Sequence, residues 1–239
     1  MGWEPGSRFA YHLLSAHFVI AEIIERRAGV DHCTFIRERI TGPMGLAELF
    51  VGAPPEIDSR VAEFRMAIAS GTDVVSEDRG VKITPEALLE LNKPELRRLG
   101  IPGGGAIGGA AELALYYQPL VNGGVTAEGR RVFKPETLGF ATRVRTNAEQ
   151  RDPMFGNAPA SRALGVIVAG DDGLSHMRSF GKTVSPRAFG QPGAGGQIAW
   201  ADPVSGISVG YCLDGFSDLA TQGRRTTAIS SLAGSCAAS

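Results

Sequence analysis

A serine and a lysine spaced for nucleophilic catalysis occur in Ser179-Phe180-Gly181-Lys182. On a helix, this SxxK spacing brings the lysine amine beside the serine hydroxyl, so that the hydroxyl can become a nucleophile. Gly181 and the following Thr183-Val184-Ser185-Pro186 disfavour a helix here. We therefore predict a loop at this position, in which the SxxK match has no catalytic meaning.

Glycine-rich stretches raise the question of a cofactor. Gly103-Gly104-Gly105-Ala106-Ile107-Gly108 satisfies the GxGxxG pattern of dinucleotide sites. That site needs a strand directly before the glycines, whereas Pro102 and a predicted helix precede them here. A flexible entry to a helix is the better interpretation. Gly181-Lys182-Thr183 also fails as a phosphate-binding loop, because His176 stands where the first glycine is required. No cofactor is expected.

Histidines and cysteines do not form a site in the sequence. His17 and His32 have no HxxxH or HExxH partner, and Ser175-His176 lacks the GxSxG elbow of a serine hydrolase. The three cysteines, Cys33, Cys212 and Cys236, are widely spaced without a CxxC pair. We predict idle thiols in a reducing compartment and no metal site.

Two stretches near the chain ends resemble catalytic motifs of one known family. The first is Trp3-Glu4-Pro5-Gly6-Ser7-Arg8-Phe9-Ala10-Tyr11-His12-Leu13-Leu14-Ser15. The second is Phe189-Gly190-Gln191-Pro192-Gly193-Ala194-Gly195-Gly196, followed by Ile198-Ala199-Trp200-Ala201-Asp202-Pro203. They resemble the second and third motifs of the serine β-lactamase and penicillin-binding-protein family, in the branch of class C β-lactamases and family VIII carboxylesterases. Ile101-Pro102, Asn122-Gly123-Gly124 and Pro135-Glu136-Thr137 resemble its connecting helices in the same order.

The resemblance implies roles for six residues. Acyl transfer needs an activated serine and backbone N–H donors for the developing oxyanion. Carried over, Tyr11 takes part in proton transfer, and the backbone N–H of Ala194, after the motif glycine Gly193, is an oxyanion donor. Leu13, Gln191, Gly193 and Gly195 then stand at substrate-binding positions.

Two of these positions depart from the family. Leu13 stands where β-lactamases often have asparagine, which favours esters over lactams. Gln191 replaces the usual lysine or histidine, and glutamine can donate a hydrogen bond but carries no positive charge.

The family's nucleophile is the largest departure. Its SxxK helix precedes the second motif, yet only ten residues precede Tyr11. We therefore expect an incomplete domain without its nucleophile helix and N-terminal strands, inactive or weakly active alone. The function expected for the family member is carboxylic ester hydrolysis through an acyl-enzyme. A non-catalytic binding or scaffold protein of the same fold is the alternative. Uncovered strand edges and apolar faces further predict a homo-oligomer or poor solubility.

Composition limits the partners. The chain has 239 residues, 43% of them hydrophobic, and 24 basic against 25 acidic side chains. It can bury a sizeable core, and its net charge of −1 gives no general attraction to nucleic acid or membranes. A small-molecule ester or amide is the expected partner. The start lacks a signal-peptide pattern, and no apolar run reaches membrane-spanning length, so a cytoplasmic location is expected by default.

Helical patterns dominate residues 1–150. Apolar spacing between Leu13 and Ile24 predicts a helix closed by Gly29. Further helices are predicted at 32–40, 85–99 with Thr84 as N-cap, 107–121 and 135–144, with a short helical piece near 61–68.

Strand patterns follow in residues 151–239. Residues 164–169, 197–201 and 207–213 are β-branched or aromatic runs, and the last two should form a hairpin around Asp202-Pro203-Val204-Ser205-Gly206. A helix over 224–233 should cover the sheet. The predicted fold class is α+β: a helical region, 1–150, then an antiparallel sheet part with a terminal helix, 151–239, in a single domain over 1–239.

Overall fold

The computed structural model describes residues 4, 6–67, 74–75 and 80–237. Within them the α-helices are α1 (Ser15–Ala28), α2 (His32–Ile36), α3 (Pro85–Leu89), α4 (Pro94–Leu99), α5 (Ala110–Val121), α6 (Pro135–Ala141) and α7 (Leu219–Ser235). The strands are β1 (Phe50–Val51), β2 (Arg65–Met66), β3 (Ala106–Ile107), β4 (Arg151–Asp152), β5 (Ala158–Pro159), β6 (Ile167–Val168), β7 (Phe189–Pro192), β8 (Ile198–Asp202), β9 (Ile207–Tyr211) and β10 (Gly215–Phe216).

The largest sheet has four antiparallel strands in the order β6-β7-β8-β9. β8 and β9 form the predicted hairpin, with Ile198 opposite Tyr211 and Asp202 opposite Ile207. The predicted α+β arrangement, an antiparallel sheet backed by the C-terminal helix, is therefore confirmed.

Alternation along β8 divides the core between two helices. Trp200, fully buried, packs with Ile167, Phe180 and Ile198 on the face that α7 covers, and its Nε1 donates to Ser230 Oγ of α7 at 3.0 Å. Ala199 and Ala201 point to the other face, as the two-residue period of a strand requires.

Helix α5 covers that other face through small residues of the sheet. Tyr117 of α5 packs with Phe189, Ala199 and Ala201. A Cβ at Gly210 of β9 would lie 2.1 Å from the carbonyl oxygen of Ala110, so only glycine permits this approach. The sheet thus lies between α5 and α7. β6 pairs only with Phe189 and Gly190 of β7, so Gln191 and Pro192 at the end of β7 pair with β8 alone.

Several predicted element bounds need correction. The helix expected over 85–99 is broken into α3, a 3-10 turn and α4, because Pro94 lacks an N–H and disfavours a helical residue before it. Thr84 caps α3 as predicted, its Oγ1 accepting from Ala87 N–H at 3.3 Å.

The helical piece expected near 61–68 is wrong for the described residues. A 3-10 helix lies earlier, over Pro55–Arg60, and β2 follows at Arg65–Met66 in parallel pairing with β10. Backbone hydrogen bonds to a distant strand outweigh local preference here. Residue 68 and most of the stretch up to 80 lie outside the described residues.

Other bounds shift by a few residues. α1 runs over Ser15–Ala28 and ends at Gly29 as predicted, while the helix expected over 32–40 is α2 continued by a π-turn over Arg37–Thr41. α5 begins three residues late because Ala106 and Ile107 pair with β1. α7 begins at Leu219, since Asp218 caps it by accepting from Thr221 N–H.

The helices of the described part are all too short or too polar to cross a bilayer.

Candidate active site

The second-motif segment begins with a turn and continues extended. Ser7 N–H and Oγ both bond to the carbonyl of Glu4, at 3.1 and 2.7 Å, and Gly6 has φ 84°, a conformation that favours glycine. Trp3 and Pro5 lie outside the described residues. Tyr11 lies outside any helix or strand, four residues before α1 begins, so the predicted helix start is slightly too early.

Tyr11 is half-buried beside a cation. The guanidinium carbon of Arg162 lies 5.0 Å from the centre of the Tyr11 ring. Burial raises the pKa of the Tyr11 hydroxyl above its usual value; Arg162 opposes this shift, and the carboxylate of Asp152 adds to it. The phenol is therefore neutral at physiological pH and able to donate a proton.

Arg162 is held by a buried ion pair. Its Nη2 and Nε lie 2.7 and 2.8 Å from Oδ2 of Asp152, and the two side chains are 11% and 2% exposed. Removing one partner would leave an uncompensated buried charge, which makes the pair costly to break. The guanidinium is thus fixed in front of Tyr11.

The third motif occupies β7 and the turn that follows. Gln191 lies on β7 opposite Ala199; its Oε1 accepts from Arg162 Nη1 at 3.4 Å and its Nε2 donates to the Pro192 carbonyl at 3.1 Å. Gly193 N–H donates to Gln197 O at 2.8 Å and closes the turn.

Ala194, at the tip of this turn, is anchored from behind. Its carbonyl accepts from Gln222 Nε2 of α7 at 2.9 Å, and the same amide donates to the Ser217 carbonyl. This contact ties the Ala194–Gly195 peptide to α7 and so holds the turn against that helix. The Ala194 N–H belongs to the preceding Gly193–Ala194 peptide.

An apolar cluster lies behind the turn. Leu13, Phe64 and Ala194 pack against the same buried group, which includes Phe216. Phe64 stacks on Phe216 with ring centres 5.4 Å apart, and Asn92 bonds to both backbone polar groups of Phe64, at 2.7 and 2.9 Å. A Cβ at Gly195 would lie 2.6 Å from the Phe64 ring, so Gly195 is buried beneath it.

The structure brings four of the six predicted site residues into two groups. Tyr11 and Gln191 meet through Arg162, while Leu13 and Ala194 share the apolar cluster. Gly193 is exposed at the turn and Gly195 is buried.

The rejected motifs lie in other surroundings. Ser179 has φ 69° at the end of a short 3-10 helix, and its carbonyl accepts from Ser230, so the SxxK match is not helical, as predicted. Gly103–Gly105 form a turn between α4 and β3, not the entry to a helix that the sequence suggested. In the described residues no group of three or more His, Cys, Asp or Glu side chains is placed to bind a metal.

Sequence reasoning missed four supporting residues, Arg162, Asp152, Phe64 and Gln222. Arg162 and Asp152 are ten residues apart in a stretch without periodic pattern, and Phe64 lies in irregular chain. The one local signal is Asp152-Pro153, an Asp-Pro turn start, in which Asp152 Oδ1 accepts from Met154 N–H at 3.1 Å. It indicates a turn, not a partner for Arg162.

The antiparallel sheet with helices on both faces, together with two segments that resemble the family's motifs, has the architecture of the β-lactamase and penicillin-binding-protein fold. The β-lactamase family model matches residues 1–233, and the chain belongs to that family. None of the curated proteins compared with it gives a match.

Solved structures share the fold. The esterase EstA from Arthrobacter nitroguajacolicus Rue61a superposes with a TM-score of 0.72 at 23% identity, covering 95% of this chain and 62% of that one. A family VIII carboxylesterase superposes with a TM-score of 0.71 at 21% identity, covering 95% of this chain and 60% of that one. A penicillin-binding-protein homologue from Caulobacter crescentus superposes with a TM-score of 0.69 at 25% identity, covering 92% of this chain and 57% of that one. The chain thus spans about three fifths of these structures.

Proposed function

We propose that the chain is part of a carboxylic ester hydrolase that acts through an acyl-enzyme. The observation that carries this proposal is that Arg162 contacts both the Tyr11 ring and Gln191, which lies on the strand that leads into the turn at Gly193 and Ala194. A third element, the serine and lysine of an SxxK helix, would come from sequence preceding Tyr11 that this chain does not contain.

The reaction would proceed in two steps, formation of the acyl-enzyme and its hydrolysis. A serine oxygen attacks the ester carbonyl while its proton passes to a neighbouring base, and the alcohol leaves after gaining a proton. Tyr11 takes part in this proton transfer, and the Ala194 N–H stabilises the oxyanion. In the second step water attacks the acyl carbonyl and gives a proton to the base, the bond to the serine oxygen breaks, and the serine oxygen takes that proton as the carboxylic acid leaves.

The substrate proposed is a small apolar ester. Leu13 and Phe64 give an apolar surface beside the turn, and Gln191 carries no charge to bind a carboxylate. These features favour an uncharged ester over an anionic lactam. We also propose a cytoplasmic location, supported by the three free thiols.

The test is hydrolysis of a short-chain p-nitrophenyl ester by the protein extended with the in-frame upstream sequence. Tyr11→Phe keeps the ring but removes the proton, so kcat should fall about a hundredfold or more. Tyr211→Phe, on β9, is the matched control and should retain activity. Equal activity of wild type and Tyr11→Phe would contradict the role of Tyr11.

The second candidate is a non-catalytic scaffold of the same fold, which Gln191 favours because it removes the usual cation of the third motif. This candidate predicts that the upstream sequence encodes no SxxK helix and that no ester is hydrolysed. Ester hydrolysis abolished by Ser179→Ala would contradict both candidates, since Ser179 lies outside the site.

A further inference from the structure

The positive charge of this site comes from an unexpected position. Gln191 is neutral, yet Arg162 brings a guanidinium to both Tyr11 and Gln191. Arg162 belongs to neither motif; it lies 29 residues before Gln191, between β5 and β6.

Aromatic rings surround the guanidinium of Arg162. Its carbon lies 5.0 Å from the ring centre of Tyr11, 5.2 Å from that of Phe155 and 5.3 Å from that of Phe9. All three distances are within the range in which a cation is attracted to a ring face.

Hydrogen bonds occupy the edge of the Arg162 guanidinium. Nε and Nη2 bond to Oδ2 of Asp152, and Nη1 reaches Oε1 of Gln191. The other Asp152 oxygen accepts from Met154 N–H, so the carboxylate is itself held in place. Only a planar cation with donors along its edge can make these contacts together, and a lysine cannot.

We propose that Arg162 is the positioning cation of this site, and that with Asp152 it holds the Tyr11 ring and the Gln191 amide in their working arrangement. The guanidinium bridges the second and third motifs: the two residues that it contacts, Tyr11 and Gln191, are 180 residues apart in the chain. The inference rests on the proposed function, because it assigns Arg162 to the same proton transfer.

Arg162 and Asp152 act on the pKa of Tyr11 in opposite directions. Among the described residues, Arg162 and Asp152 are the charged groups that act on the Tyr11 hydroxyl; Arg162 lowers its pKa and Asp152 raises it. Removing the cation should therefore raise the Tyr11 pKa, and removing the carboxylate should lower it. A purely structural role would shift both variants in the same direction.

The test is a carbon-13 NMR titration of this chain labelled at the tyrosine Cζ, from about pH 8 to 12. The chain has four tyrosines, and Tyr11→Phe identifies the Tyr11 signal. Arg162→Gln should raise the Tyr11 pKa, because it removes the cation that lowers it, and Asp152→Asn should lower the Tyr11 pKa, because it removes the carboxylate that raises it. Arg162→Lys keeps the charge and should shift it less than Arg162→Gln.

Arg60→Gln is the control, since Arg60 pairs with Glu48 at the surface and should leave the Tyr11 signal unchanged. Unchanged titration in Arg162→Gln, or equal shifts of one sign in Arg162→Gln and Asp152→Asn, would overturn the proposal. If Arg162→Gln fails to fold, Arg162→Lys and Asp152→Asn decide: Asp152→Asn must lower the pKa.

Kinetics separate this proposal from the proposed function. In the extended protein, Arg162→Gln should lower kcat for the p-nitrophenyl ester about tenfold while KM changes little, with partial recovery in Arg162→Lys. An inactive wild type with the expected Tyr11 titrations would refute ester hydrolysis and leave the electrostatic assignment standing. Full activity in Arg162→Gln would refute the assignment alone.

Discussion

At the scale of residues, the structure depends on a few side chains that each join distant segments. Arg162 joins Tyr11 to Gln191, Gln222 joins α7 to the turn at Ala194, and Asp202 joins β8 to the loop before β7. The motif residues were predicted from a resemblance to a known family. The residues that hold these motif residues in place were not predicted, because contacts between distant segments leave no local sequence pattern.

Asp202 provides a test of this kind of support. It is 2% exposed; Oδ1 accepts from Ser185 Oγ at 2.6 Å and Val204 N–H at 2.9 Å, and Oδ2 accepts from Ser185 N–H at 2.7 Å. Burial opposes ionisation, but the hydrogen bonds from Ser185 and Val204 outweigh it and lower the pKa of Asp202. Asp202→Asn should cost about 1–3 kcal/mol in the free energy of unfolding at pH 7, because the amide cannot accept from all three donors.

The pH dependence follows from the lowered pKa. The stability that ionised Asp202 contributes is fully present above its unfolded pKa of about 3.9 and is lost as pH falls through the lower folded value. Urea unfolding should therefore show a constant difference between wild type and Asp202→Asn above about pH 5, shrinking below about pH 4. Asp171→Asn, at an exposed site, is the control. A difference that stays constant down to pH 3 would contradict this account.

At the scale of elements, the sheet and its hairpin were more predictable than the helices. β8 and β9 combine β-branched or aromatic residues with a clear turn, whereas several predicted helix bounds missed tertiary pairing. Ala106 and Ile107 fit a helix start by sequence, but pairing with β1 makes them a strand. Gly210 likewise carries no visible signal for its contact with α5, although that contact sets how closely the helix approaches the sheet.

At the scale of the whole molecule, apolar surface remains on α1. Phe18, Val19, Ile20 and Ile23 are each at least half exposed, at 51, 60, 53 and 55%, and Ala21 is the buried residue of this helix. A cavity of about 520 Å³ lies between α1 and α2, lined by Ile23, Ile24, Val30 and Phe35 among others. β9 is also an edge strand of the described sheet. Such surfaces favour self-association.

We therefore predict that this chain self-associates through α1. Val19→Glu combined with Ile23→Lys should increase the monomer fraction in sedimentation velocity, because the charges oppose burial of the helix face. Leu232→Lys is the matched control, since Leu232 is an exposed leucine on α7, 71% exposed, away from α1 in sequence. A monomeric wild-type chain, or an equal effect of Leu232→Lys, would contradict this prediction.

We propose that Tyr11 and the turn at Gly193 and Ala194 belong to a serine ester hydrolase whose nucleophile precedes them in sequence. The most direct measurement is fluorophosphonate labelling of the protein extended with its in-frame upstream sequence, with the modified residue located by tandem mass spectrometry. We predict one labelled serine, N-terminal to Tyr11 and followed by lysine three residues later. Labelling at Ser179 or at any other serine of residues 1–239, or no labelling of the folded extended protein, would contradict the claim.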